Sequence, residues 1–116
     1  MKTLVLSQQL LAMSNMNFGL YDFSRQIRNT LNMIATNPEK KIPPVVLSQQ
    51  LEEMRTISED VYEWGRQLRN TVNVRAQNPG VKQPSLNVAQ QLLTMKNLDQ
   101  RLFEFGNATV QFVNSL

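Results

Sequence analysis

Apolar side chains recur at seven-residue intervals along most of this chain, with polar residues between them. The series covers three stretches: Leu6, Met13, Leu20, Ile27 and Ile34; Leu47, Met54, Val61 and Leu68; Val88, Met95, Leu102 and, after Thr109 at the intervening position, Leu116. This spacing places the apolar side chains on one face of an amphipathic helix, whereas a half-buried strand would alternate at every second residue. The pattern therefore predicts helices rather than strands.

Longer stretches of the sequence also recur along the chain. YDFSRQIRNT at 21–30 returns as YEWGRQLRNT at 62–71, and FEFGNATVQF at 103–112 aligns with both at offsets of 41 residues. The alignment needs no gaps, and similarity at a fixed offset is typical of one supersecondary unit used several times. We therefore predict a single helical domain, residues 1–116, built from the repeat units 1–41, 42–82 and 83–116.

Two segments rich in proline, at 36–44 and 77–85, are expected to end the helices. A helix of about 30 residues would be about 45 Å long, while a connection of about nine residues spans at most about 30 Å. Such a connection could not return the chain to start a parallel neighbour. We therefore predict an all-α fold, an antiparallel up-down-up bundle of three long helices. In the alternative, the same helices complete their core with helices from another copy.

Each unit places a large ring beside a small residue. The pairs are Phe23 with Ser24, Trp64 with Gly65, and Phe105 with Gly106. Each ring lies three residues after a core position, so we expect it to point into the core. Glycine inside a helix costs about 1 kcal/mol relative to alanine and needs a structural reason. We expect the small residues to let two helices approach closely.

Three polar residues fall in the register of the core: Asn17, Ser58 and Asp99. We interpret them as a frayed or polar layer of the core rather than as a site. For the third helix, the expected N-terminal cap is Ser85 or Asn87.

The composition limits the chemistry that the chain can perform. Among 116 residues there is no cysteine and no histidine, and the net charge is +3. Disulfides, thiolate chemistry, the common zinc and copper ligands and Ser-His nucleophiles are therefore excluded. Glu52, Glu59 and Glu63 can share one helix face, but a carboxylate-bridged di-metal site in a bundle normally adds histidine. We predict no enzyme activity, no catalytic residue, no metal site and no cofactor.

The N-terminal stretch MKTLVLSQQLLAMS combines a lysine with an apolar run, as a signal peptide does. Polar residues interrupt the run, and VLSQQL at 5–10 returns at 46–51, so we assign the stretch to the folded unit. No apolar span approaches the about 20 residues of a membrane helix. We expect a soluble protein with no membrane partner, located in the cytoplasm or carried in a virion.

The first and third helices carry a second set of apolar residues. The set consists of Leu4, Leu11, Phe18, Tyr21, Leu86, Leu93 and Phe103. Either it widens the core face of each helix, or it forms an exposed patch of the kind that marks a partner surface. The leading hypothesis is a non-enzymatic helical assembly or adaptor protein that forms a homo-oligomer or binds a partner helix through this set. The small size would suit a phage or bacterial accessory protein.

Two pairs of arginines support an alternative function. Arg25 and Arg28, like Arg66 and Arg69, belong to a repeated RQ[IL]RN motif and could contact phosphates. The predicted antiparallel helices would place the two pairs at opposite ends of the bundle. A basic nucleic-acid-binding bundle is therefore the second hypothesis. A weaker third is a small-ligand sequestering oligomer with its pocket between subunits.

Overall fold

A computed structural model describes residues 3–116, and helices account for most of this range. Three short helices alternate with three long ones. They are α1 Ser7–Ser14, α2 Phe18–Thr36, α3 Ser48–Ile57, α4 Glu59–Gln77, α5 Ala89–Leu98 and α6 Gln100–Ser115. The all-α prediction is confirmed. The prediction of three long helices is wrong, because each predicted helix is broken into a short and a long one.

Each break lies at a polar residue that caps the following long helix. Asn17, Ser58 and Asp99 have extended backbone, with φ between −169° and −164°. Their side-chain oxygens accept hydrogen bonds from N–H groups of the first helical turn at 2.8–3.1 Å. Asn, Ser and Asp are preferred here because they satisfy N–H groups that have no partner within the helix. The interpretation of these residues as a polar core layer is therefore wrong.

Each short helix folds back along the long helix that follows it. The side-chain amide of Asn32 accepts from the N–H of Leu4 at 2.7 Å and donates to its carbonyl at 2.8 Å. The same two bonds join two further pairs, Asn73 with Val45 and Asn114 with Leu86. The segment before each short helix therefore lies beside the C-terminal half of the long helix. We call α1–α2, α3–α4 and α5–α6 the first, second and third hairpins.

The three long helices run in the same direction. Their C-terminal ends meet around one cavity, which is lined by residues within 34–40, 75–81 and 112–116. We call this end of the molecule the loop end, and the opposite end, where the hairpins turn, the turn end. The predicted up-down-up order is wrong. The short helices carry the chain back, so that every long helix starts at the turn end.

The short helices pack between neighbouring long ones and close the arrangement into a ring. Helix α3 lies between α2 and α4, α5 between α4 and α6, and α1 between α6 and α2. Hydrogen bonds cross all three boundaries: Gln50 donates to Asp22 at 2.8 Å, Thr94 to Asp60 at 2.6 Å, and Gln9 to Glu104 at 3.2 Å. The first and third hairpins are therefore neighbours, although they lie far apart in sequence.

The aromatic residues Phe23, Trp64 and Phe105 are fully buried between the long helices, as predicted. Trp64 makes edge-to-face contacts with both phenylalanines, at ring-centroid distances of 5.9 and 6.2 Å. A Cβ added at Gly65 would lie 2.5 Å from the methyl group of Met54 in α3. The predicted close approach at this glycine is confirmed, and it occurs between the two helices of one hairpin.

Two leucines that precede short helices adopt a left-handed backbone. Leu6 has φ 53° and Leu47 has φ 58°. This conformation costs about 1–2 kcal/mol for a residue with a side chain. The guanidinium groups of Arg28 and Arg69 donate at 2.9 Å to the carbonyls of the residues just before these leucines. One position earlier, Asn32 and Asn73 bind the backbone of Leu4 and Val45. Both segments are therefore fixed before the helix begins.

Candidate functional site

The seven residues of the second apolar set differ in their exposure. Leu11, Phe18 and Leu93 are exposed, at 65%, 70% and 60% of their full surface. Leu4, Tyr21 and Leu86 are partly buried and pack against the core, and Phe103 is half-buried. The two interpretations of this set, a wider core face and an exposed patch, each describe some of its members, because the breaks at Asn17 and Asp99 separate them onto different helices.

A smaller apolar surface surrounds the turn of the first hairpin. Leu11 in α1, Met16 in the turn and Phe18 at the start of α2 are all exposed. The ring centroid of Phe18 lies 6.4 Å from that of Tyr21. We call Leu11, Met16 and Phe18 the first-hairpin surface.

The other two hairpins differ at the corresponding positions. In the second hairpin these positions hold Glu52, Ile57 and Glu59, and in the third they hold Leu93, Leu98 and Gln100. Arg55 lies 3.5 Å from a carboxylate oxygen of Glu52 and 3.9 Å from one of Glu59. The second hairpin is therefore charged where the first is apolar, and the third is intermediate.

The chain segment that carries the first-hairpin surface is uncharged. Residues 3–21 contain no acidic and no basic side chain, which is a long interval for a chain with 21 charged residues. The first charged group after the surface is Asp22, which is paired with Arg25 at 2.8 Å. The side chain of Glu53 in α3 lies against Gly19, next to Phe18, so the surface is uncharged only along its own segment.

The four arginines of the alternative hypothesis already make contacts within the chain. Arg25 is paired with Asp22, and Arg66 with Glu63. Arg28 and Arg69 are used in holding the segments before α1 and α3. The expectation that the two pairs lie at opposite ends is wrong, because α2 and α4 run in the same direction.

The ion pairs shift the ionisation of their carboxyl groups. Hydrogen bonds from Gln50 and then Arg25 lower the pKa of Asp22 below its ordinary value. The hydrogen bond from Arg66 lowers the pKa of Glu63, and the same contact raises the pKa of Arg66. These shifts keep the groups charged, so they stabilise helix surfaces and prepare no general acid or base.

Arg75 is the residue that sequence reasoning missed. It occupies the core position that follows Leu68 in the seven-residue series, and only 7% of it is exposed. Its Nη1 donates to the carbonyl of Val113 at 2.7 Å and its Nη2 to that of Pro84 at 3.3 Å. The seven-residue series itself points to Arg75. An arginine occupies a position of this series whose counterparts, 41 residues before and after it, are Ile34 and Leu116.

Comparison with protein-family models, with characterised proteins and with solved structures finds no match for the chain. Over the described range 3–116, no helix combines the length and apolar character that crossing a membrane requires. In the same range, no group of three or more acidic side chains is arranged to hold a metal ion.

Proposed function

We propose that this protein is a non-enzymatic assembly or adaptor protein that associates with a second copy of itself through the first-hairpin surface. The observation that carries the proposal is the exposure of Phe18, which leaves 70% of a large aromatic side chain in contact with water. Exposed apolar groups that cluster on a surface usually mark an interaction site.

The fold itself does not require a phenylalanine at this position. Glu59 and Gln100 take the corresponding places in the other hairpins, and each still begins a long helix behind a polar cap. An aromatic residue that is needed neither for capping nor for the core therefore has another use. Leu11 supports the same argument, because Glu52 replaces it in the second hairpin.

A second copy is the partner that the charges favour. In a two-fold interface the same patch meets itself, so a charge near the symmetry axis would approach its own copy. The uncharged interval 3–21 avoids this repulsion. Burial of an apolar side chain contributes about 1.5–3 kcal/mol, and association costs about 4–15 kcal/mol in lost freedom. Three such side chains support a weak, concentration-dependent dimer.

The recurrence of contacts supports a construction from three copies of one unit, 1–41, 42–82 and 83–116. Each unit would supply one hairpin, one asparagine that holds the preceding segment and one core ring. The alternative function, nucleic-acid binding, has less support, because Arg25, Arg28, Arg66 and Arg69 are engaged within the chain.

Sedimentation equilibrium of the purified chain at several concentrations tests the proposed dimer. The parent is expected to show a monomer–dimer equilibrium at tens to hundreds of micromolar, and Leu11→Glu with Phe18→Glu to sediment as a monomer with unchanged helical circular dichroism. Val46→Glu is the matched control, since Val46 is 69% exposed and lies in the segment before α3, away from the first-hairpin surface. A parent that stays monomeric throughout, or a control that dissociates the dimer equally, contradicts self-association through this surface.

A further inference from the structure

A cavity of about 440 Å³ lies at the loop end, between the C-terminal ends of α2, α4 and α6. Its apolar wall includes Ile34, Val81 and Phe112, and its polar wall includes Arg75 and Lys40. The volume falls within the range of about 300–1,000 Å³ that is usual for small-molecule sites. The cavity is formed by one chain, unlike the pocket between subunits that the sequence led us to consider.

The guanidinium of Arg75 is buried and only partly satisfied. Arginine carries five N–H donors, and here two backbone carbonyls are their hydrogen-bond partners. The Nε of Arg75 is buried without a partner. Within the described chain no carboxylate forms an ion pair with Arg75. A buried charge of this kind is costly unless an opposite charge compensates it.

The fold does not require a cation at this position. The corresponding residues of the other units, Ile34 and Leu116, are apolar and line the same cavity. The bond to Val113 does satisfy a carbonyl at the end of α6, which is a structural use of one donor. It does not account for the unpartnered Nε–H or for the positive charge of Arg75.

The charges around the cavity favour a negative ligand. Lys40 lines the cavity, and Lys41 and Lys82 belong to the two loops of the same end. In these loops, 37–47 and 78–88, Glu39 is the one acidic side chain. The cations also complement the partial negative charge of the helix C-termini, but full charges on four side chains exceed what that role needs.

We propose that this cavity binds a small anionic amphiphile, a molecule with a carboxylate, sulfonate or phosphate head on an aromatic or short aliphatic body. The head accepts hydrogen bonds from Arg75 and from the ammonium group of Lys40. The body packs against Ile34, Val81 and Phe112. The ligand thereby supplies the charge that Arg75 lacks within the chain. This site is independent of the proposed dimer, which uses the turn end.

Two fluorescent probes that share one body test the proposal. They are 8-anilinonaphthalene-1-sulfonate and its uncharged counterpart N-phenyl-1-naphthylamine. We expect the sulfonate to bind at least about tenfold more tightly, which is the size of effect that a charge-assisted hydrogen bond gives. The same titration should shift the NMR signals of the Arg75 Nε–H and of the Gly80 and Val81 amides. Equal affinities for the two probes overturn the proposal.

Substitutions locate the bound head group. Lys40→Gln should weaken sulfonate binding about three- to tenfold and leave the neutral probe unchanged, as expected for the loss of one charged donor. Lys41→Gln makes the same charge change next to the cavity, and should alter neither affinity. Arg75→Met should remove the preference for the sulfonate. An apolar side chain, Ile34, occupies the corresponding position of α2.

Two further results would overturn the proposal. One is an equal effect of Lys40→Gln and Lys41→Gln, which would mean that only general surface charge attracts the probe. The other is loss of the fluorescence in Phe18→Glu, which would place the probe on the first-hairpin surface. If Arg75→Met does not fold, the comparison of Lys40→Gln with Lys41→Gln tests the proposal by itself. Both lysines are exposed, so neither substitution should disturb the fold.

Discussion

Asn32, Asn73 and Asn114 each use one amide group to hold the N–H and the C=O of a residue 28 positions earlier. An amide suits this role because its oxygen accepts while its adjacent nitrogen donates. The held residues lead into α1, α3 and α5, and two of them precede left-handed leucines by two positions. At the scale of the residue, these contacts determine where each short helix begins.

Asn73→Asp is therefore expected to destabilise the protein by about 1–3 kcal/mol. The carboxylate keeps the bond from the N–H of Val45, but it loses the donor to the carbonyl of Val45 and places a negative charge against it. Urea unfolding followed by circular dichroism measures the loss. Asn97→Asp is the control, because Asn97 is exposed, and it should change the free energy of unfolding by less than about 0.5 kcal/mol. Similar losses in both variants would contradict the role of the amide.

At the scale of the helix, the polar caps and the contacts between hairpins decide the architecture. Asn17, Ser58 and Asp99 each separate a short helix from the long helix that follows it, and the chain reverses there. Gln50 then joins α3 to Asp22 in α2, across the boundary between the first and second hairpins. This bond is the largest cause of the lowered pKa of Asp22, ahead of the neighbouring Arg25.

Gln50→Ala should raise the pKa of Asp22 toward its ordinary value, and a carbon-detected NMR titration of the carboxyl group measures it. Because the folded-state pKa is lowered, this contact stabilises the protein above the ordinary carboxyl pKa. The stabilisation is lost as the pH falls through the lowered value. The stability difference between parent and variant should therefore vanish in acid. Gln49→Ala, at an exposed neighbour, should leave the pKa unchanged; an equal rise there would contradict the assignment.

At the scale of the whole molecule, every hairpin depends on its neighbours. Each short helix packs against the long helix of its own hairpin and against that of the preceding one, and α1 closes the ring against α6. The buried residues form one cluster that includes members from all three hairpins. An isolated hairpin would leave both of its outer faces in water, and short helices are marginal alone.

The isolated segment 42–82 should therefore be largely unfolded as a monomer. Circular dichroism should show little helix, and Trp64 should emit at a longer wavelength than in the full chain, where it is fully buried. Thermal denaturation of both species provides the comparison. A cooperative transition of the monomeric segment would contradict the shared core.

Several features follow from the sequence alone, because they depend on local periodicity. The seven-residue series predicts the helical class and places Met13, Leu20 and Val61 toward the core, where all three are fully buried. The glycine beside Trp64 indicates a close helix approach, since glycine is otherwise unfavourable in a helix. The three cap residues Asn17, Ser58 and Asp99 also stand out in the sequence, because they are polar residues at one register. The apolar series continues across them, however, and therefore predicts unbroken helices.

The tertiary structure decided the direction of the long helices, which members of the second apolar set are exposed, and the surroundings of Arg75. Each depends on contacts between residues that are distant in sequence, such as those of α1 with α6. Tyr21 is partly buried and packs against the core, whereas Phe18 is exposed, although the two residues lie about one turn apart. Arg75 shares a cavity with Lys40 only because the long helices are parallel, which no local pattern encodes.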